Sequence, residues 1–381
     1  LLAVADTRVG LGKLAAWWRG RFDIPLIAIT GSNGKTTVKE MLAAILRTHA
    51  GEAAVLATQG NLNNDIGVPL TLLRLEPRHR YAVIEVGMNH LGEIAYLSRL
   101  ARPTAAIINN AGTAHIGEVG SVEAIARAKG EILEGLSAEG VAILNSDDAF
   151  ADSWRQLARG KRIVDFGLDR RAAVTARYEL GETGSLVTLT TPQQAFVVRL
   201  AVAGVHNVRN ALAATTAAWV AGAPAAKIAA GLSEYQGVSG RAQQLRLPNG
   251  ALLIDDTYNA NPESMKAALS VLAGCAGKRI FVMGDMGELG EAAGAMHVEI
   301  GIFARRAGAH RLYTLGEASA AAARAFGEGA AHFDSVEALV AALEPELDPG
   351  SAVLVKGSRF MRMERVVAAL SGKVTSARGN H

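Results

Sequence analysis

From Asp23 onward, short runs of Val, Ile, Leu and Ala alternate with segments long enough to be helices, and many of the runs end on a polar residue or a glycine. A chain patterned this way folds as parallel strands joined by crossover helices, the α/β class. Strands are expected at 25–30, 81–86, 105–109, 141–145 and 162–166, and their continuous apolar character predicts burial on both faces. Between 173 and 200 the period shortens to alternation, at 174–178 and 186–190 around the turn-rich 181–185, which predicts an antiparallel hairpin added to the parallel sheet. Helices are expected at 207–220 and 225–232. Gly237-Val238-Ser239-Gly240 then reads as a flexible joint and the main domain boundary. A second series of strands, at 252–255, 279–283, 312–315 and 352–355 with helices between them, predicts a smaller Rossmann-like domain.

The chain has 381 residues, more than one hydrophobic core usually supports, so two or three domains are expected. Half of the residues are hydrophobic and a fifth charged, with 41 Gly and 10 Pro, which excludes a disordered or collagen-like chain. The 39 basic and 36 acidic side chains are scattered, so no nucleic-acid footprint is indicated. Cys275 is the single cysteine and has no partner within the chain, which points to a reducing compartment, the cytoplasm. No apolar run approaches the ~18 residues of a membrane helix. The chain opens on Leu1-Leu2-Ala3-Val4-Ala5-Asp6, without an initiator Met or the basic start of a signal peptide. That opening reads as a strand under way, so the chain is expected to be a fragment lacking an N-terminal part. The tail 372–381 is polar and expected to fray.

The strongest chemical signal is Thr30-Gly31-Ser32-Asn33-Gly34-Lys35-Thr36-Thr37, between a strand and a helix expected at 38–46. Glycines let backbone N–H groups converge on phosphate oxygens, and the helix N-terminus adds its positive end. Lys35 reaches the outer phosphates, and the Thr36 hydroxyl suits Mg²⁺. Only two residues separate the glycines, a compressed form of the phosphate loop, and the first domain is therefore expected to be P-loop ATPase-like. Glu85 ends the next strand, at the carboxyl edge where open α/β sheets bind ligands; it is either a Mg²⁺ ligand or a solvated strand end. His115 lies in a loop just past another strand, as a site residue or a solvated one.

Lys129 lies on a stripe with Val122, Ile125, Ile132 and Leu136 on a helix expected at 122–136. Either it snorkels from the stripe's edge, or burial holds it as a neutral amine able to form a carbamate with carbon dioxide, an anion for a second metal. Asn61, Asn63 and Asn64 cluster in a loop, suited to turns or to reading sugar and phosphate oxygens. Further polar groups flank the joint: Asn207 and Asn210 at a helix start, Arg241, and Asp255 to Pro262 after the first strand of the second domain. Gly284 to Gly290 and Lys356 to Arg359 follow later strands of that domain, so all would line one edge.

These residues resemble the Mur ligase family, which adds amino acids to the peptidoglycan precursor; the resemblance runs from Phe22 to Leu370. Residues 30–37 are similar to the family's ATP loop, compressed spacing included, and Ala128-Lys129-Gly130-Glu131-Ile132 resembles the segment bearing its carbamylated lysine. Residues 60–69, 256–262, 283–290 and 356–359 resemble the branch that adds D-alanyl-D-alanine.

The resemblance implies a remnant of a uridine-nucleotide-binding domain at 1–22, an ATP domain at 23–240 and a dipeptide-binding domain at 241–371. It implies that the carboxylate of UDP-N-acetylmuramoyl-tripeptide takes the γ-phosphate of ATP and that the D-alanyl-D-alanine amine then displaces phosphate. Gly31, Ser32, Asn33, Gly34, Lys35, Thr36 and Thr37 would hold ATP with Asn207, Asn210, Arg241 and Asp256. Thr36 and Glu85 would hold one Mg²⁺, and His115 with carbamylated Lys129 a second, making Lys35, Lys129 and His115 the catalytic group. Asn61, Asn63 and Asn64 would contact the muramoyl peptide, and Asn259, Asn261 and Arg359 the incoming dipeptide. A monomer is expected, with no nucleic-acid partner. Another carboxylate:amine ligase of the Mur or folylpolyglutamate type, or an ATP-binding protein without turnover, stays open at this point. A dehydrogenase does not, because no Gly-x-Gly-x-x-Gly turn follows the second domain's first strand.

Overall fold

The computed structural model describes residues 3–372. Two compact units form: residues up to 179 with 185–201 and 205–236, and residues 180–184 and 202–204 with those from 237 onward.

The first unit begins with α1 (Thr7–Arg19), capped by the Asp6 carboxylate, which accepts the N–H groups of Arg8 and Val9. Ala3 to Asp6 therefore form no strand, and Leu1 and Leu2 of the expected strand lie outside the described residues. β1 (Leu26–Thr30) leads through the phosphate loop into α2 (Lys35–Ala50), and β2 (Val55–Ala57), α3 (Gly67–Leu72), β3 (Tyr81–Glu85), α4 (Glu93–Ala101) and β4 (Ala105–Ile108) follow. Then come α5 (Ile116–Val119), α6 (Val122–Gly130), β5 (Val141–Asn145), α7 (Ala151–Leu157) and β6 (Arg162–Phe166). The sheet order is β2-β3-β1-β4-β5-β6, with every pairing parallel. β1 and β3 to β5 are buried along their whole length, as their continuous apolar sequences require. The chain turns left of β1 for β2 and β3 and right for β4, so the ends of β1, β3 and β4 border the crevice at the switch point.

Helix α1 packs on α3 and α4. The Trp18 indole donates to Leu75 O at 3.0 Å, and the buried Arg19 guanidinium donates to Ala101 O at 3.0 Å.

Two expectations are corrected here. The alternating region is a separate three-stranded sheet of β7 (Thr175–Leu180), β8 (Ser185–Thr190) and β9 (Ala195–Leu200), and the segment leading into it meets β6 through the isolated bridge Phe166 to Val174 and the Ala173 N–H donated to Asp165 Oδ1 at 2.8 Å. The third strand pairs with β8 across the turn at Thr191 to Gln194. The Lys129 helix ends at Gly130 and continues as a 3₁₀ turn, Glu131–Gly135, instead of running on to 136. α8 (Val205–Val220) and α9 (Ala225–Glu234) complete the unit and pack against α2.

The second unit contains β10 (Gln243–Arg246), β11 (Leu252–Asp256), α10 (Pro262–Ala273), β12 (Arg279–Gly284), α11 (Ala293–Arg306) and β13 (Arg311–Leu315). It ends with α12 (Ala320–Phe326), β14 (Ala330–Phe333), α13 (Val336–Leu343), β15 (Ala352–Lys356) and α14 (Glu364–Leu370). Its sheet, β10-β11-β15-β12-β13-β14, is parallel except for the edge strand β10. β2, β10 and β14 were not anticipated, because runs of three or four residues at a sheet edge carry little periodic signal. Most of the tail at 372–381 lies outside the described residues, among which no helix is long and apolar enough to cross a membrane.

Candidate active site

The loop after β1 closes on Gly34, whose φ of 79° is left-handed and directly precedes Lys35, the first residue of α2. A Cβ there would lie 2.3 Å from Asn210 Oδ1 and 2.8 Å from Asn109 Nδ2. Amides hold the turn: Asn33 N–H donates to Asn110 Oδ1 at 2.8 Å, and the Asn109 and Asn110 amides donate to Asn33 O at 2.9 and 3.0 Å. Asn109 also donates to Asn210 Oδ1 at 3.2 Å, and Asn210 to Asn207 Oδ1 at 3.3 Å. Asn207 and Asn210 are thus buried beside the loop, shaping it from α8. Gly34→Ala is expected to lower stability by at least ~1–2 kcal/mol from backbone strain alone and to weaken ADP binding. Thermal melting and an ADP titration check this; unchanged ADP affinity would show that the loop tolerates a side chain.

The Lys35 ammonium folds back over the loop and donates to Gly31 O at 2.6 Å. Next to it, the buried Thr36 hydroxyl donates to Glu85 Oε2 at 2.9 Å, and the Asn63 amide donates to Glu85 Oε1 at 2.8 Å. Glu85 is 2% exposed, yet both side-chain donors are neutral and no ion pair neutralises it among the described residues. A buried carboxylate with only neutral partners, beside a hydroxyl on a phosphate loop, is a hard-oxygen donor set that fits Mg²⁺. No group of three His, Cys, Asp or Glu that could hold a metal occurs among the described residues, so such an ion would share its coordination with substrate oxygens, as Mg²⁺ does at phosphate sites.

Lys129 is 0% exposed, and its Nζ has no hydrogen-bond partner among the described residues. Snorkelling is therefore overturned. The cause is packing: Ile125 and Ile132 of the same stripe are fully buried. Burial first, and then the charge of Lys35, hold the Lys129 ammonium well below the ordinary lysine range, and Glu131 only partly opposes them. His115, half-buried with a left-handed φ of 67°, directly precedes α5, the short helix before α6.

Among the clustered asparagines, Asn64 does turn chemistry: its Oδ1 accepts Gly67 N–H at 2.9 Å at the start of α3. Asn61 O accepts Asn63 N–H at 2.7 Å, which tightens the loop that presents Asn63 to Glu85.

In the second unit, Asp256 ends β11 and forms an ion pair at 2.6 Å with the buried Lys356 at the end of β15, while Ala242 N–H donates to its Oδ1 at 3.0 Å. Lys356 also donates to Asn259 O at 2.8 Å. The Arg241 guanidinium lies 4.0 Å from the centre of the Tyr258 ring. Asn261 Oδ1 caps α10 by accepting Ser264 N–H at 2.9 Å, and Arg359, on the exposed side, pairs with Glu364 at 2.9 Å. The Gly284 to Gly290 loop is pinned by buried His297, whose Nε2 accepts Met286 N–H at 2.9 Å.

Both units match known domains. The Mur ligase middle domain matches residues 29–218, and the Mur ligase, glutamate ligase domain matches 240–359. A relative from Haemophilus influenzae, named UDP-N-acetylmuramoyl-tripeptide--D-alanyl-D-alanine ligase, is 43% identical over 380 residues, covering 98% of this chain and 82% of the relative. The chain belongs to the Mur ligase family. Among solved structures, MurF from Acinetobacter baumannii aligns with a TM-score of 0.92 and 41% identity over 98% of this chain and 82% of that one. MurF ligase from Thermotoga maritima, solved in complex with ADP, aligns with a TM-score of 0.89 and 27% identity over 98% of this chain and 85% of that one.

Several residues of this Mur ligase site were not anticipated as site residues. Asn109 and Asn110 hold the phosphate loop, and Asn145, ending β5, donates to Asn109 O at 2.9 Å. Their signal was position, a polar side chain at the carboxyl end of a buried strand, the same criterion that selected Glu85. Lys39 and Thr58 are also absent from the expected site, although Lys39 shares a helical stripe with Leu42, Ala43 and Leu46, the same pattern as that around Lys129.

Proposed function

We infer that this Mur ligase joins D-alanyl-D-alanine to UDP-N-acetylmuramoyl-tripeptide, in an ATP-driven amide-forming reaction of peptidoglycan precursor synthesis. The observation that carries the choice of substrates is the match along nearly the whole chain to relatives of that name. The phosphate loop, the Thr36–Glu85–Asn63 cluster and the partnerless Lys129 amine support the chemistry.

The tripeptide's terminal carboxylate attacks the γ-phosphorus of ATP, giving an acyl phosphate and ADP. The dipeptide amine then attacks the acyl carbon, expelling phosphate and a proton as the amide forms. Phosphoryl transfer needs positioning and charge neutralisation above all. Loop N–H groups and Lys35 take the phosphates, and Asn109, Asn110 and Asn210 keep the loop in shape to do so. Thr36 and Glu85 would hold one Mg²⁺ and His115 with Lys129 a second, and these ions supply charge neutralisation around the transferring phosphoryl group when bound. Lys129, deprotonated at a pH where an exposed lysine is charged, is suited to add carbon dioxide, losing one proton to become the anionic carbamate.

Asn61, Asn63 and Asn64 form the loop on the muramoyl-peptide side, and Asn207 and Asn210 flank the adenine side. In the second unit Arg241 and Asp256 serve the ribose and phosphates. Asn259, Asn261 and Arg359 serve the dipeptide, with Asn261 also capping α10. The single, buried cysteine supports work in a reducing compartment, the cytoplasm.

The test is ADP and phosphate release from ATP, Mg²⁺ and UDP-muramoyl-tripeptide, with and without D-alanyl-D-alanine. Release that requires the dipeptide, with the pentapeptide as product, is expected. Equal release without it would overturn the assignment of the amine substrate.

A further inference from the structure

A second lysine of the phosphate-loop helix is buried where the ligase mechanism assigns it nothing. Lys39, one turn beyond Lys35 and Thr36, is 0% exposed, and its Nζ donates to Thr58 O at 2.7 Å and pairs with Glu40 Oε1 at 2.5 Å. Enclosing an ammonium is costly, and an alkyl side chain of similar length would fill the same space without that cost. What the charge secures is Thr58, the residue that follows β2. Thr58 is itself buried and uses every polar group: its N–H donates to Val83 O at 3.0 Å, its hydroxyl accepts Glu85 N–H at 2.9 Å, and its carbonyl accepts from Lys39.

Three elements meet at that residue. α2 carries Thr36, β3 ends in Glu85, and the loop after β2 carries Asn63, which donates to Glu85 Oε1. We propose that Lys39 is a positioning residue that, through Thr58, sets Glu85 and the Asn63 loop in place around the Mg²⁺ that accompanies the nucleotide. Lys39 touches no phosphate or reacting atom; it acts through a carbonyl one residue beyond a strand. The same tie fixes where the Asn61 to Asn64 loop leaves the sheet, so it couples the acceptor side of the site to the phosphate side. Losing a contact of this kind around a metal-holding carboxylate typically costs about 10- to 100-fold in metal affinity.

This inference deepens the ligase reading and rests on it, but its decisive measurement needs neither acceptor nor amine. ADP affinity is measured by calorimetry with and without Mg²⁺ for the wild-type chain, Lys39→Met and Thr58→Val, with thermal melting alongside. In the wild type Mg²⁺ should strengthen ADP binding. Both variants should bind metal-free ADP as the wild type does, because Lys35 and the loop are untouched, while the gain from Mg²⁺ falls about 10- to 100-fold. A core support alone would lower melting and metal-free ADP affinity together, and that result overturns the proposal. So does a full Mg²⁺ gain in both variants, or none in the wild type. If Lys39→Met does not fold, Thr58→Val decides alone, since it keeps the lysine and removes only the hydroxyl that accepts Glu85 N–H. A wild-type chain without dipeptide-dependent phosphate release would remove the substrate assignment and leave this comparison intact.

Discussion

Lys129→Met should be more stable than the wild type and catalytically dead. The stabilisation follows from a buried amine with no hydrogen-bond partner among the described residues, replaced by a thioether side chain of similar length; relief of a buried, unbonded polar group is worth about 1–3 kcal/mol. The gain depends on pH, with a sign set by burial. Folding holds the Lys129 pKa well below its ordinary value of 10.5, so below the folded value both states carry the proton and the folded state bears the full penalty. As pH rises from the folded pKa toward 10.5 the unfolded state still binds a proton that the folded state has released, and the penalty fades. The advantage of Lys129→Met should therefore be greatest on the acid side and shrink as the solution becomes alkaline. Denaturant unfolding of both proteins across a pH series measures it, and a variant less stable at every pH would show that the amine has a partner that the fold provides. Turnover should fall on the order of 10³-fold, the scale on which phosphoryl transfer responds to loss of one charge-stabilising group. In Lys129→Ala, which leaves room in the pocket, short-chain carboxylates should restore part of the activity by standing in for the carbamate; full activity without them would remove Lys129 from the catalytic group.

Lys35→Ala should lose turnover on a similar ~10³-fold scale while melting close to the wild type. Its Nζ is bonded to the loop carbonyl of Gly31, a contact that shapes the loop but buries little apolar surface, so the loss falls on phosphate binding and not on the core. Coupled assays of ADP release with parallel melting curves check it, and normal turnover would remove the ATP-site assignment. The same substitution has a second signature. The Lys35 charge is one of the causes that depress Lys129, so removing it should let Lys129 hold its proton to higher pH and shift residual, carbamate-dependent activity toward alkaline conditions.

The α/β architecture was legible because buried parallel strands need continuous apolar runs, and five strands of the first unit appear within a residue of their expected limits. The phosphate loop was equally legible, since a strand end, two glycines, Lys-Thr and a helix start are neighbours in sequence. Lys129 was only half legible. The stripe placed it on the apolar face of its helix, but whether a long side chain reaches out or stays in depends on what packs over it.

The sequence by itself determined the strand rhythm, the loop and the place of Glu85 at a strand end, because each is set by residues a few positions apart. Tertiary structure decided the pairing of Glu85 with Thr36, 49 residues away, and of Asn109 with Asn210, 101 residues away. It likewise turned the Asn64 side chain to holding a turn and the Asn261 side chain to capping a helix, and enclosed Lys39 and Lys129. The physical reason is common to all of them: a polar side chain is driven by whatever donor or acceptor the fold brings within about 3 Å, and a lysine's fate by whether water can reach its end. Neither is encoded within reach of a helical or strand period.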